Sequence, residues 1–302
     1  MAEIEDIDIK VNRFYSLIKD YKEGAPETRY KSWEWCHDAF VEKKEEYRKA
    51  QNEKVKEEIV DFLSLHLAFY LASWGMYRGS SYLLKRDYKA HKKAVKKILD
   101  KKYEDLWGFE LKDKTSIDNA KKLLFNKEGD KRGIYWVVKE SYNIEQSNED
   151  DEASDTLTTK ILMGTFGCVP AFDRYLKAGI SAYKKVNTDS KYKFTQQIED
   201  EDAKTFEEIA KFVIGNKDKL NKIKKVSALE KYPLMKLVDM YFWEIGYELD
   251  IAKGLVSPSN SETTKNRLLK KAQSLLKELK GKSFEEVSQQ LYERNGVEVG
   301  VN

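Results

Sequence analysis

The sequence predicts an all-α protein, and three observations carry that expectation. Only 4 of the 302 residues are proline and 15 are glycine, so turn punctuators are scarce. Charged residues make up 35% of the chain. Between the few turns, Lys, Glu, Leu and Ala fill stretches whose apolar positions recur every three to four residues, the period of a helix with one buried face. A chain of this length holds ample core for one large helical domain.

The elements follow in order. Helices are expected at 7–20 and 29–49, joined by the Gly24-Ala25-Pro26 turn. Residues 54–75 are apolar on nearly every face from Ile59 onward, which predicts a central helix buried on all sides. After Gly75 and Gly79 the chain runs through Ser80, Ser81 and Tyr82 into a basic helix ending near Lys102. A short piece at 103–107 precedes helices at 116–125 and 132–142. Residues 143–155 hold six acids and no base, the composition of a flexible loop. Beyond 158–180, helices are expected at 206–214 and at the aromatic, core-forming 233–243. A Ser257-Pro258-Ser259-Asn260-Ser261 linker then divides a main body, 1–256, from an extension, 257–302, with helices at 262–279 and 284–294.

The net charge of +3 is too mild to demand a nucleic-acid partner, but its distribution is uneven. Basic residues concentrate at 85–102, 174–193 and 217–225. Each run is either a solvated helix face or part of a phosphate-tracking groove, if the three converge. The two cysteines, Cys36 and Cys168, match no metal-ligand spacing, and no leader-like segment precedes Ile4, so a cytoplasmic protein is expected. The most apolar run, 65–77, is well short of the ~20 residues that span a bilayer, so no membrane partner is expected.

The best clue to chemistry is TTKILMGTFGCVPAFDRYLKAGI, residues 158–180. An apolar helix ends at Phe166-Gly167, where glycine suits a left-handed cap. Pro170 fits the first position of the next helix, where its missing N–H costs nothing. Asp173 then falls in the first turn, where free backbone N–H groups and the helix dipole stabilise a negative charge. An acid there serves either as a dipole partner alone or as a chemical group.

The segment resembles the helix-hairpin-helix (HhH-GPD) superfamily of DNA base-excision glycosylases. Their TA…LL…FG…P…D…V.R.L pattern appears as Thr158-Thr159, Ile161-Leu162, Phe166-Gly167, Pro170, Asp173, Leu176 and Ile180, over about 25 residues. The resemblance implies a two-lobed helical body with its site in the cleft. It implies that Asp173 is the catalytic carboxylate, orienting or deprotonating water and stabilising positive charge on the deoxyribose as the N-glycosidic bond breaks. The standard hairpin is missing: Asp150-Asp151-Glu152-Ala153-Ser154-Asp155 stands where the family has a glycine-rich phosphate-binding turn. Thr156 stands near the place of the lysine that forms a Schiff base in bifunctional members, so a monofunctional enzyme is implied, with Lys160 an outside candidate for amine chemistry.

A glycosylase extrudes its base and holds it by stacking, so aromatic and polar groups must stand near the carboxylate. Trp74, Tyr77, Arg78 and Ser80, at the end of the central helix, are the expected base pocket, joined by Trp35. A capped helix terminus with Arg78 in a salt bridge is the plainer reading of that stretch, and core packing that of Trp33, Trp35 and His37. Lys160, Arg174, Lys177, Lys184 and Lys185 are the expected contacts to DNA, a duplex with one base flipped out, bound by a monomer. The substrate base is open among oxidised, alkylated, deaminated and hypermodified types, the last implying a role in phage defence.

Two other classes compete. Arg86 and His91 match the Arg-x4-His of HEPN ribonucleases, which are also helical bundles. The third class is a non-enzymatic all-α adaptor or DNA-binding protein in which Asp173 is structural. No cofactor and no metal are expected: His37, His66 and His91 are the only histidines, and no HExxH, phosphate loop or nucleophile elbow is present.

Overall fold

The computed structural model describes residues 7–19, 23–24, 26–79, 81–142, 153–187, 190–195, 197–198, 203–226 and 229–252. The chain divides into two units between Ala252 and Lys253. The extension and its linker lie outside the described residues, as does nearly all of the acidic tract. Helix is the only regular secondary structure among the described residues, with no strand. No helix among them is long and apolar enough to cross a membrane.

Eleven α-helices are described: α1 (Ile7–Lys19), α2 (Ser32–Lys49), α3 (Glu53–Ser73), α4 (Lys92–Ile98), α5 (Lys114–Phe125), α6 (Ile134–Ser141), α7 (Asp155–Thr165), α8 (Arg174–Val186), α9 (Lys204–Gly215), α10 (Lys217–Val226) and α11 (Leu234–Ala252). Side chains start several of them by accepting orphan backbone N–H groups. Asn52 caps α3 through the Lys54 amide, Asp113 and Ser116 form a reciprocal box on α5, and Ser154 caps α7 through the Leu157 amide. The basic run 85–102 is not one helix: 3-10 turns at Tyr88–His91 and Lys101–Leu106 flank the short α4. The lysines of 217–225 form α10, a helix the sequence expectation omitted.

The helices pack in two groups. α2 through α7 lie mainly against one another, while α1 crosses back to pack on α10 and α11, and α8 and α9 also pack on α11. The tightest pairing is α8 with α11. A Cβ on Gly179 would stand 1.9 Å from the Phe242 carbonyl oxygen, and one on Gly246 1.9 Å from that of Tyr175. Two glycines thus bring the antiparallel backbones into contact.

The helix buried on every face is α7, where all residues from Leu157 to Thr165 are buried. The expectation that α3 fills this role is corrected. Its Ile59, Leu63, Leu67, Tyr70 and Leu71 face the core, but Phe62, Leu65 and Phe69 are 43%, 55% and 52% exposed. Apolar composition marked α3 as central, yet one apolar stripe of it faces outward. The aromatic stretch of α11 is core, as expected, with residues from Met235 to Tyr247 almost continuously buried.

Candidate functional site

The turn between α7 and α8, where the chain passes from one helix group to the other, carries Asp173. Gly167 ends α7 as expected, with φ +68° and its N–H donating to the Leu162 carbonyl at 3.0 Å. Pro233 packs where a Cβ on Gly167 would stand. Two details of the sequence reading are corrected. Pro170 lies within the turn, four residues before α8 begins, and Asp173 is the N-cap of α8 and not a first-turn residue. A buried turn of eight residues separates the helices, so the helix start falls later than the proline suggests.

As N-cap, Asp173 is held from two sides. Its Oδ1 accepts from the Tyr175 and Leu176 amides, both at 3.0 Å, and its Oδ2 accepts from Lys160 Nζ at 2.9 Å. The Lys160 side chain is 4% exposed and that of Asp173 12%. Three hydrogen bonds fix the carboxyl group in a mostly buried place. Lys160 therefore does not stand on the surface to meet phosphate; that expectation is corrected, because α7 is enclosed on all sides.

Trp74, the C-cap of α3, stands beside this pair, its ring centre 5.2 Å from Lys160 Nζ. A second buried ion pair lies on its other neighbour, α11: Lys236 Nζ to Asp239 Oδ2, 2.9 Å, with both side chains under 8% exposed (4% and 7%). Lys236 Nζ is 5.4 Å from the ring centres of Phe14, Trp33 and Trp74. Trp74 thus has ammonium groups of two ion pairs against it, within cation–π reach. Tyr30, Tyr70 and Trp243 complete its aromatic surroundings. Tyr70 is fully buried, and its phenol pKa is pushed far up by burial, then by the charges of Asp239, Cys36 and Asp173. The Lys160–Asp173 and Lys236–Asp239 pairs and the Tyr70 ring therefore gather around Trp74.

Other expected pocket residues point elsewhere. The Tyr77 hydroxyl and His91 Nε2 share a hydrogen bond at 2.7 Å, so Tyr77 is tied to a network beyond the end of α3. Arg78 is exposed, its guanidinium folded over Gly75, where an added Cβ would meet Nε at 2.7 Å. Ser80 lies outside the described residues. Trp35 packs on Phe69, 6.0 Å between ring centres, on the outward stripe of α3 and not against Trp74. The two-residue spacing puts Trp35 on a different face of α2 from Trp33, which is buried, stacked on His37 and donating to the Met163 carbonyl.

Of the basic residues, Lys184 and Lys185 are exposed near the end of α8, about three turns from Asp173. Arg174 is exposed and pairs with Asp250 at 3.1 Å. Lys177 lies close enough to help lower the Asp155 carboxyl pKa, although Tyr135 and Lys139 contribute more, against the effect of burial. Lys92 and Lys96 of the 85–102 run are engaged by Asp61 and Glu57 of α3.

The ribonuclease pair is not assembled. His91 has no exposed surface, its Nε2 meets Tyr77 and its Nδ1 meets the Tyr142 hydroxyl at 2.7 Å. No ring nitrogen is left for a 2′-hydroxyl. Arg86 lies 4.2 Å over the Tyr82 ring. Cys36 and Cys168 are free and buried, their thiol pKa values raised by burial. Among the described residues no three of His, Cys, Asp and Glu cluster as metal ligands.

Sequence reading missed Lys236, Asp239 and Tyr70. A signal existed for the first two: they are the charged residues of an otherwise apolar run, Leu234 to Trp243, at the i, i+3 spacing of one helix face. No family model, no curated protein and no solved structure matches this chain.

Proposed function

We propose that the protein is a DNA glycosylase that hydrolyses the N-glycosidic bond of a damaged or modified base, with Asp173 as its carboxylate. The observation that carries this reading is the environment of Asp173: N-capping α8, paired with a buried lysine and standing beside Trp74. As the bond breaks, its electron pair leaves with the base and positive charge develops on the sugar. A fixed carboxylate stabilises that charge without reorganising. Water then adds at C1′ and its proton passes to Asp173 or to solvent, leaving an abasic site. Trp74, part-exposed at the end of α3, provides an aromatic surface for the extruded base. The two-lobed fold implied by the resemblance puts the site between lobes, and Asp173 stands where the chain passes between its two helix groups.

Hydrolysis without a covalent intermediate fits the state of Lys160. Its Nζ is committed to Asp173 Oδ2 at 2.9 Å in a side chain only 4% exposed, which keeps it from attacking the sugar.

The test uses the full chain on duplexes that carry oxidised, alkylated, deaminated or hypermodified bases. Alkali-labile sites are expected on at least one duplex. Asp173→Asn should abolish them while far-UV circular dichroism is retained, and borohydride should trap no protein–DNA adduct. A trapped adduct would move the chemistry to a lyase. Absence of base release from every duplex would reject the enzyme and leave the adaptor reading, which the exposed Lys184 and Lys185 on α8 favour.

A further inference from the structure

Asp239, on a different helix, shares the buried core around Asp173 and touches the turn that presents it. Buried backbone N–H groups need acceptors, and most find them in helix ladders. In the turn before Asp173, Ala171 is 6% exposed, and its N–H finds Asp239 Oδ1 at 2.9 Å, a contact across 68 residues of sequence. The Ala171 carbonyl in turn accepts the Asp173 N–H at 2.7 Å. One residue, Ala171, therefore links the Asp239 carboxylate to the backbone N–H of Asp173. Phe172 is fixed from α7, its N–H donating to Thr159 Oγ1 and its carbonyl accepting from Thr156, each at 2.9 Å.

Burying the Lys236–Asp239 pair is costly, and an apolar pair of similar volume would often be at least as stable. What an apolar pair lacks is an acceptor for Ala171. A charge-assisted bond to a backbone N–H is about twice as strong as a neutral one. We propose that Asp239 is a positioning residue. Its oxygen pins the Ala171 N–H while Lys236 only balances its buried charge, and the pin sets where the Asp173 carboxylate stands relative to Trp74, a ring both ion pairs share. The effect on rate rests on the glycosylase reading. The pinning of the turn does not.

Removing one partner alone would strand a buried charge, so two double variants are compared with wild type. Lys236→Met with Asp239→Asn removes the ion pair but keeps an oxygen for Ala171. Lys236→Met with Asp239→Leu removes both. Hydrogen exchange at the Ala171 amide should stay slow in the first and become much faster in the second. Single-turnover base release should stay near wild type in the first and fall about 100-fold in the second, the cost of a reacting group displaced by about 1 Å. DNA affinity should be the same in both. Equal exchange at Ala171 in the two variants overturns the pinning, and equal rates of base release overturn the catalytic role. If wild type releases no base from any duplex, the glycosylase reading falls, while exchange at Ala171 still decides whether Asp239 holds the turn.

Discussion

At the scale of single residues, burial decides more than identity. Lys160, Asp173, Lys236 and Asp239 are ordinary charged residues that become unusual because packing removes water and leaves each with one dominant partner. His91 shows the same rule with a pH consequence. Burial pushes its pKa from 6.5 down to about 4, only partly opposed by Asp87. The unfolded imidazole takes up a proton near pH 6.5, whereas the folded one resists until near pH 4. Stability is therefore intact above about pH 6.5 and falls as pH drops toward 4, by about 3 kcal/mol. Urea midpoints of wild type should show this loss between pH 7 and pH 4, and His91→Gln, which cannot titrate, should lose correspondingly less. Parallel profiles for the two proteins would exclude His91 as the source.

At the scale of elements, the α8–α11 pair is the clearest case of sequence composition with a geometric purpose. Helix propensity alone predicts that Gly179→Ala stabilises the chain by about 1 kcal/mol. The added methyl would instead collide with the Phe242 carbonyl 1.9 Å away, on backbone that cannot rotate aside. Separating the helices should make the variant about 2 kcal/mol less stable than wild type in urea unfolding. A gain in stability would mean that the helices do not meet as described. The same pairing positions the site, because α8 begins at Asp173 and α11 carries Lys236 and Asp239. By contrast, the outward stripe of α3 contributes little to the fold. Its three large apolar residues are about half exposed, so the core is built on the opposite face.

At the scale of the whole molecule, α1 packs with α11, the first and the last helix among the described residues. Ile7, Val11 and Phe14 of α1 are buried in the group that contains α11, and Phe14 is one of the rings around Lys236. Lys10 and Arg13 both pair with Glu248. Deleting residues 1–19 should therefore cost about 5 kcal/mol, the transfer value of three buried apolar side chains. It should also alter the near-UV circular dichroism of the tryptophans, and an unchanged melting curve would show that α1 is dispensable. The sequence by itself determined the all-helical class, the glycine cap that ends α7, the aromatic core of α11 and the prominence of Asp173, because helical period, caps and turn residues act over a few neighbouring positions. Tertiary structure alone decided that α7 and not α3 is enclosed, that Lys160 is the partner of Asp173, that Tyr77 and Trp35 face away from it, and that Lys236 lies against Trp74 and Asp239 against the Ala171 N–H. Those outcomes depend on which helix faces meet across tens to hundreds of residues, and periodicity marks a face as apolar without naming what covers it.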